Sequence, residues 1–201
     1  MSLRQWDHED LQELRKSLTY EAFMGILADL SDWIVERYGV DVITVPMQVS
    51  GTESDVPMAK DLRSRCKLGA RIHIIEEATG IPEIMELMEG AEITIGMRLH
   101  SVILSIVATT PFVSLAYSPK VDGLLKSLGL EEYMVRLSGV RAEALKALVS
   151  KVYEQKSLIR EELRGVAQEQ HARAADLART AVELLQAEKG HLVFPDARTS
   201  R

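Results

Sequence analysis

From Val40 to Leu137 the chain alternates between two hydrophobic periods, and few folds tolerate that. Val40–Pro46, Ala70–Ile75, Ala91–Gly96, Phe112–Tyr117 and Tyr133–Leu137 read as strands. Between them, Ser54 or Asp55 to Lys67, Ile81–Glu89, Leu99–Thr109 and Pro119–Leu128 read as helices, with Pro57, Pro82 and Pro119 near their first turns. Strands separated by single helices imply βαβ units and a parallel sheet. Several strands are nearly all apolar, as expected when helices cover both faces. The predicted fold class is therefore α/β: a Rossmann-like parallel sheet with helices on both faces, over residues 1–140.

Helical patterns flank this alternation. Leu14, Leu18, Ala22, Ile26, Leu30, Trp33 and Ile34 predict one helix from Leu11 to Tyr38, with Gly39 as its stop. Residues 141–188 read as a C-terminal helical extension with Leu145, Leu148, Val149 and Val152 on its apolar face. Gly165 is the candidate break between two helices there, and residues 189–201 are expected to form a flexible tail.

Composition narrows the function. The net charge of −6 argues against a dedicated nucleic-acid binder, which carries a basic excess. Cys66 is the single cysteine, which excludes an internal disulfide and a cysteine-rich zinc site. No segment has the roughly 20 apolar residues of a membrane span, so a cytoplasmic location, with peripheral contact at the inner membrane face allowed, is expected. Phosphate-loop, dinucleotide, zinc-helix and nucleophile-elbow signatures are absent, and neither a metal nor a cofactor is expected.

The informative stretch is Gly96-Met97-Arg98-Leu99-His100-Ser101, where a strand hands over to a helix. Ligands of open parallel sheets bind outside the carboxyl ends of the strands, and helix N-termini favour anions. Cations in a first turn oppose the helix dipole by ~0.3–1 kcal/mol each unless an anion is present. Tyr117-Ser118-Pro119-Lys120 repeats the arrangement, with Ser118 a candidate cap. If the two strands are near each other, Arg98, His100 and Lys120 converge on one anion-binding crevice. The plainer readings pair Arg98 with a nearby Glu and bury His100 as a satisfied core residue. Asp55 reads as a helix cap before a catalytic acid, Gln48 as loop, His73 as a structural strand residue, Trp6 and Trp33 as core, and Met85 to Met88 as packing.

Gly96-Met97-Arg98-Leu99-His100, followed by Pro111-Phe112-Val113 and Ala116-Tyr117-Ser118-Pro119-Lys120-Val121, resembles the polysaccharide pyruvyl transferase family, its CsaB-like members in particular. Leu3-Arg4-Gln5-Trp6 resembles the family's L-R-x-W segment, and Val45-Pro46-Met47-Gln48 with Asp55 the strand end and acidic residue after it. The resemblance runs from near residue 3 to about residue 135 and covers the C-terminal half of the family's GT-B-like, two-domain fold. It implies transfer of a pyruvyl group from phosphoenolpyruvate to a sugar of a cell-wall or exopolysaccharide precursor, as a ketal, with release of phosphate. CsaB-like members act on a lipid-linked precursor whose polymer anchors surface-layer proteins.

On that resemblance His100, Arg98 and Lys120 are the expected catalytic residues, and Arg4, Gly96, Ser101, Tyr117 and Ser118 the expected substrate-binding residues. The expected partners are phosphoenolpyruvate, a glycan or lipid-linked sugar acceptor, an N-terminal half, and a second copy in a homo-oligomer. Two other readings stand beside it. One is the donor half of a nucleotide-sugar glycosyltransferase, although no ribose-binding Glu follows Arg98. The other is a non-catalytic module whose Ala167–Leu185 run docks a partner helix.

Overall fold

The computed structural model describes residues 1–5, 11–52, 54–77 and 80–191. Its elements run α1 (Gln12–Arg15), α2 (Tyr20–Tyr38), β1 (Val42–Thr44), α3 (Val56–Arg65), β2 (Ile72–Ile74), α4 (Ile81–Glu89), β3 (Thr94–Gly96), α5 (Leu99–Val107), β4 (Phe112–Ala116), α6 (Pro119–Ser127), β5 (Met134–Arg136), α7 (Ala142–Glu154) and α8 (Lys156–His191). All strand pairs are parallel: β1 with β2, β3 with β4, and β4 with β5.

The amino-terminal residues join these two groups into one sheet. The Met1 amine donates to Ile43 O and Val45 N donates to Met1 O. On the other side Ser2 N donates to Ile95 O and Met97 N to Ser2 O, each at 2.8 Å. The spatial order is thus β2, β1, Met1–Ser2, β3, β4, β5. The chain builds outward in one direction through β2, then crosses back to build in the other through β3. This is the doubly wound Rossmann arrangement, with its switch point between Met1–Ser2 and β3. The α/β class predicted from the alternation is the fold observed.

Apolar residues sit where this topology needs them. β4, flanked by β3 and β5, is buried along its whole length, Phe112 to Ala116. α2 and α3 pack together through Phe23, Met24, Leu27, Met58 and Leu62. α7 returns over β4 and α2, burying Leu145, Val149 and Val152, and α8 buries Ile159 and Leu163 as it leans on α5. Farther along α8, Leu177, Leu184 and Leu185 are exposed.

Several boundaries differ from the sequence reading. The expected helix Leu11–Tyr38 is two, because Thr19 caps α2 by accepting Ala22 N at 3.2 Å. Its buried face is Phe23, Met24, Leu27, Leu30 and Ile34, while Ala22 is exposed. Gly39 does stop α2, in the left-handed conformation at φ 69° that glycine adopts without strain. The expected break at Gly165 falls at Gln155 instead, and Gly165 lies inside α8. The strands are shorter than read, and the start of Ala70–Ile75 is a 3₁₀ turn at Gly69–Arg71. Trp6 and most of the expected tail, residues 192–201, lie outside the described residues. No helix of the described residues is long and apolar enough to cross a membrane.

Candidate functional site

The loops leaving the switch point are tied together by one carboxylate. Asp55 occupies the N-cap position of α3, but its side chain makes no cap hydrogen bond. Buried at 1% exposure, it turns toward the turn after β3. Arg98 donates to it twice, Nε to Oδ2 and Nη2 to Oδ1, both at 2.7 Å. The backbone amides of Gln5, Met47 and Gln48 donate to the same carboxylate at 3.0, 3.2 and 3.2 Å. One anion thus fixes the exits of the Met1–Ser2 segment, β1 and β3. The bidentate geometry and the three amides satisfy a charge whose burial is otherwise unfavourable. The cap reading of Asp55 is right for its position and wrong for its side chain. The Glu partner considered for Arg98 is replaced by this Asp.

Arg4, at the end of the amino-terminal rung, donates from Nη1 to the Tyr117 hydroxyl at 2.7 Å, and its guanidinium lies 5.6 Å from the Tyr117 ring centroid. This bond links the switch point to the end of β4. Tyr117 and Ser118 also line a cleft of about 480 Å³ at the carboxyl ends of β4 and β5, with Asp122, Lys126 and Arg136 around it. Arg136 bonds Asp122 Oδ2 through Nε and Nη2 at 2.9 and 2.7 Å. Ser118 sits at the N-cap position of α6 without a side-chain cap bond, so the expected cap is not formed. Pro119 does open that helix.

Gly96 and Ser101 pack β3 against α5. A Cβ on residue 96 would lie 2.4 Å from Ser101 Oγ. That hydroxyl is buried and donates to Arg98 O at 2.6 Å. Only glycine lets the helix start this close to the strand. His100 and Lys120 are each the second residue of a helix, α5 and α6, and both are exposed. Because β3 and β4 are paired neighbours, these two helix starts are adjacent along the carboxyl edge of the sheet. Neither side chain has a hydrogen-bond or ion-pair partner among the described residues. His73, read as structural, pairs at the far end of the sheet with Asp41 at 2.7 Å and is exposed. No three His, Cys, Asp or Glu side chains group as a metal site among the described residues.

The residue that sequence reasoning undervalued is Asp55. Its signal was the cation itself: an Arg two residues after a buried strand needs an acid nearby, and the nearest polar loop ends in Asp55.

A doubly wound sheet, a glycine-tight strand-to-helix turn and cationic helix starts at the carboxyl edge define a Rossmann-like α/β protein with its candidate site at the switch point. The sequence profile of the polysaccharide pyruvyl transferase family matches residues 11–119, more than half of the chain, and the chain belongs to that family. The match includes the Gly96–Ser101 turn, Asp55 and Tyr117; Arg4 and Lys120 lie just outside it. Over 50 residues the chain is 46% identical to the amylovoran biosynthesis protein AmsJ of Erwinia amylovora, a stretch covering 25% of this chain and 12% of that protein. Among solved structures, a mutant O-GlcNAc transferase of Thermobaculum terrenum superposes with a TM-score of 0.54 at 12% identity, over 73% of this chain and 29% of that one. The chain therefore spans a small part of the length of either protein.

Proposed function

We propose that the chain is the donor-binding half of a polysaccharide pyruvyl transferase, covering residues 1–140, with residues 141–188 as a helical extension. It would take phosphoenolpyruvate as donor and act with an N-terminal half on a sugar of a cell-wall or exopolysaccharide precursor. The observation that carries this reading is the placement of the family's Arg-Leu-His turn. It stands at the carboxyl edge of the sheet beside the switch point, with His100 exposed on a helix start and Lys120 on the adjacent one. A relative named for amylovoran biosynthesis agrees with a polymer-building role.

Phosphoenolpyruvate carries a carboxylate and a phosphate on one enol carbon. The amides opening α5 and α6, together with Lys120, suit those charges. Arg98 is held from behind by Asp55, so it contributes a charge whose position is set before any ligand arrives. Arg4 and Tyr117 brace the same edge. Protonation of the methylene carbon gives an oxocarbenium-like centre, to which two sugar hydroxyls add while phosphate leaves. Of the two hydroxyl protons, one balances the new methyl group and the other leaves with phosphate. His100 is the group placed to carry one of them, imidazole being a common general acid and base. No cofactor enters this scheme. A lipid-linked acceptor would bring the protein to the inner membrane face.

Calorimetric titration with phosphoenolpyruvate tests the reading, with inorganic phosphate and a UDP-sugar as comparisons. Saturable binding of phosphoenolpyruvate, lost when His100→Ala and Lys120→Ala are combined, is expected. Binding of the UDP-sugar alone would overturn it in favour of a glycosyltransferase half.

A further inference from the structure

Beyond the start of α6, the carboxyl edge of the sheet opens into the cleft at the ends of β4 and β5. Its volume of about 480 Å³ falls within the roughly 300–1,000 Å³ of small-molecule sites. Leu14, Ala116 and Pro119 give it apolar walls, and Ser118, Asp122 and Arg136 polar ones.

The polar groups are only partly used. In the Arg98–Asp55 pair each carboxylate oxygen takes one nitrogen. In the Arg136–Asp122 pair Nε and Nη2 both donate to Oδ2. Asp122 Oδ1 and Arg136 Nη1 are therefore open among the described residues, an acceptor and a donor within one ion pair. Ser118 forms no side-chain cap bond, and the side chains of Lys126 and Ser138, also in the lining, have no hydrogen-bond partner among the described residues. An anion would satisfy the donors but would meet the Asp122 carboxylate, which is 23% exposed and already offsets Arg136. Neutral hydroxyls suit both kinds of group, because each one donates and accepts. An apolar ring carrying them also suits the walls.

We propose that this cleft binds a pyranose, with one ring hydroxyl donating to Asp122 Oδ1 and another accepting from Arg136, so that this half of the protein reads a sugar itself. Ser118 and Ser138 offer hydroxyls to the rest of the ring. Gly123 keeps the wall open: a Cβ there would have nothing within 4 Å. Calling this sugar the acceptor, held beside the helix start that faces the donor, rests on the pyruvyl-transfer reading; the binding itself does not.

Amide NMR titration with the methyl glycosides of glucose, galactose and mannose tests this, with inorganic phosphate and phosphoenolpyruvate as comparisons. At least one glycoside should saturate shifts at Gly123 and Ser138 with a Kd on the order of 1 mM. Asp122→Ala should weaken that binding about tenfold or more, through loss of a charged acceptor. Gly123→Leu should weaken it as much by filling the space, and should melt no lower than the parent because it replaces a glycine inside a helix. No saturable shift with any of the three glycosides, or parent-like binding by either variant, would overturn the proposal. So would phosphate saturating the same amides more tightly than every glycoside, which would make the cleft an anion site. Phosphoenolpyruvate reports on the donor separately, at the amides of Leu99 to Ser101. Silence there with the glycoside shifts intact would remove the donor reading and leave the sugar site standing.

Discussion

Arg98 and His100 stand two residues apart on one turn and live in opposite environments. Arg98 is 13% exposed and meets a carboxylate that five hydrogen bonds hold in place. His100 is exposed, as is Lys120 at the neighbouring helix start, and neither has a partner among the described residues. The inward cation serves the fold, because it orders three loop exits at the switch point. Lys120 opposes the dipole of α6, and His100 opposes that of α5 whenever it is protonated, a small unfavourable contribution with no ion-pair partner among the described residues. Charges that the fold would be better without are the ones to assign to a ligand. That contrast separates, residue by residue, the side chains the fold holds in place from those it leaves free, and substitutions can break it.

The largest expected effect is on the inward side. Asp55→Ala leaves Arg98 buried without its acid and orphans three amides, and should lower unfolding free energy by about 3–5 kcal/mol. His100→Ala and Lys120→Ala should stay within about 0.5 kcal/mol of the parent. Urea midpoints for the three variants measure the gap. A loss below about 1 kcal/mol for Asp55→Ala would mean the loops are held by something else. Activity should rank the same residues in reverse. In a complete transferase, His100→Ala should reduce turnover by about 10²–10⁴-fold if the imidazole moves a proton. Near-normal turnover, measured as phosphate released from phosphoenolpyruvate, would remove it from the chemistry.

This contrast was half legible in the sequence. The strand and helix alternation was readable because apolar runs are punctuated by Pro and Gly: α4 begins at Ile81 and ends at Glu89, as the pattern requires, and Gly39 closes α2. The turn carrying Arg98 and His100 was readable as a strand-to-helix exit. What the inward residue bonds was not, since Asp55 and Arg98 are 43 positions apart and meet only through the order of the strands. Local signals also misled. Asp55 has the residue type and position of a cap, yet its carboxylate finds a stronger, charge-assisted partner. Thr19 sits inside an apolar periodicity that continues across it, so the break before α2 rests on one hydroxyl.

Gly96 tests whether the turn's shape can be separated from its charges. Gly96→Ala sets a methyl 2.4 Å from Ser101 Oγ and 3.3 Å from Ser101 Cβ. Overpacking of this kind should be destabilising by ~1–3 kcal/mol. Adding Ser101→Ala removes the closer contact and keeps the other, so the double variant should recover part of the loss in thermal melts. Full recovery would show that the hydroxyl alone dictates glycine here. No recovery would place the strain in the backbone.

The smallest expected effect concerns a titratable group buried away from the candidate site. Cys66 is 9% exposed, its Sγ lies 3.9 Å from Ala28 O, and burial pushes its thiol up from 9.0 to about 11. Because the folded value is the higher one, the stability it contributes is whole below the unfolded value and is lost as pH rises toward the folded one. Between pH 8 and pH 10 the parent should therefore lose on the order of 1 kcal/mol more than Cys66→Ala does. Parallel urea midpoints for the two would mean that the thiolate is tolerated in the core. Burial alone would then not distinguish Asp55, and the weight of the comparison would fall entirely on its five hydrogen bonds.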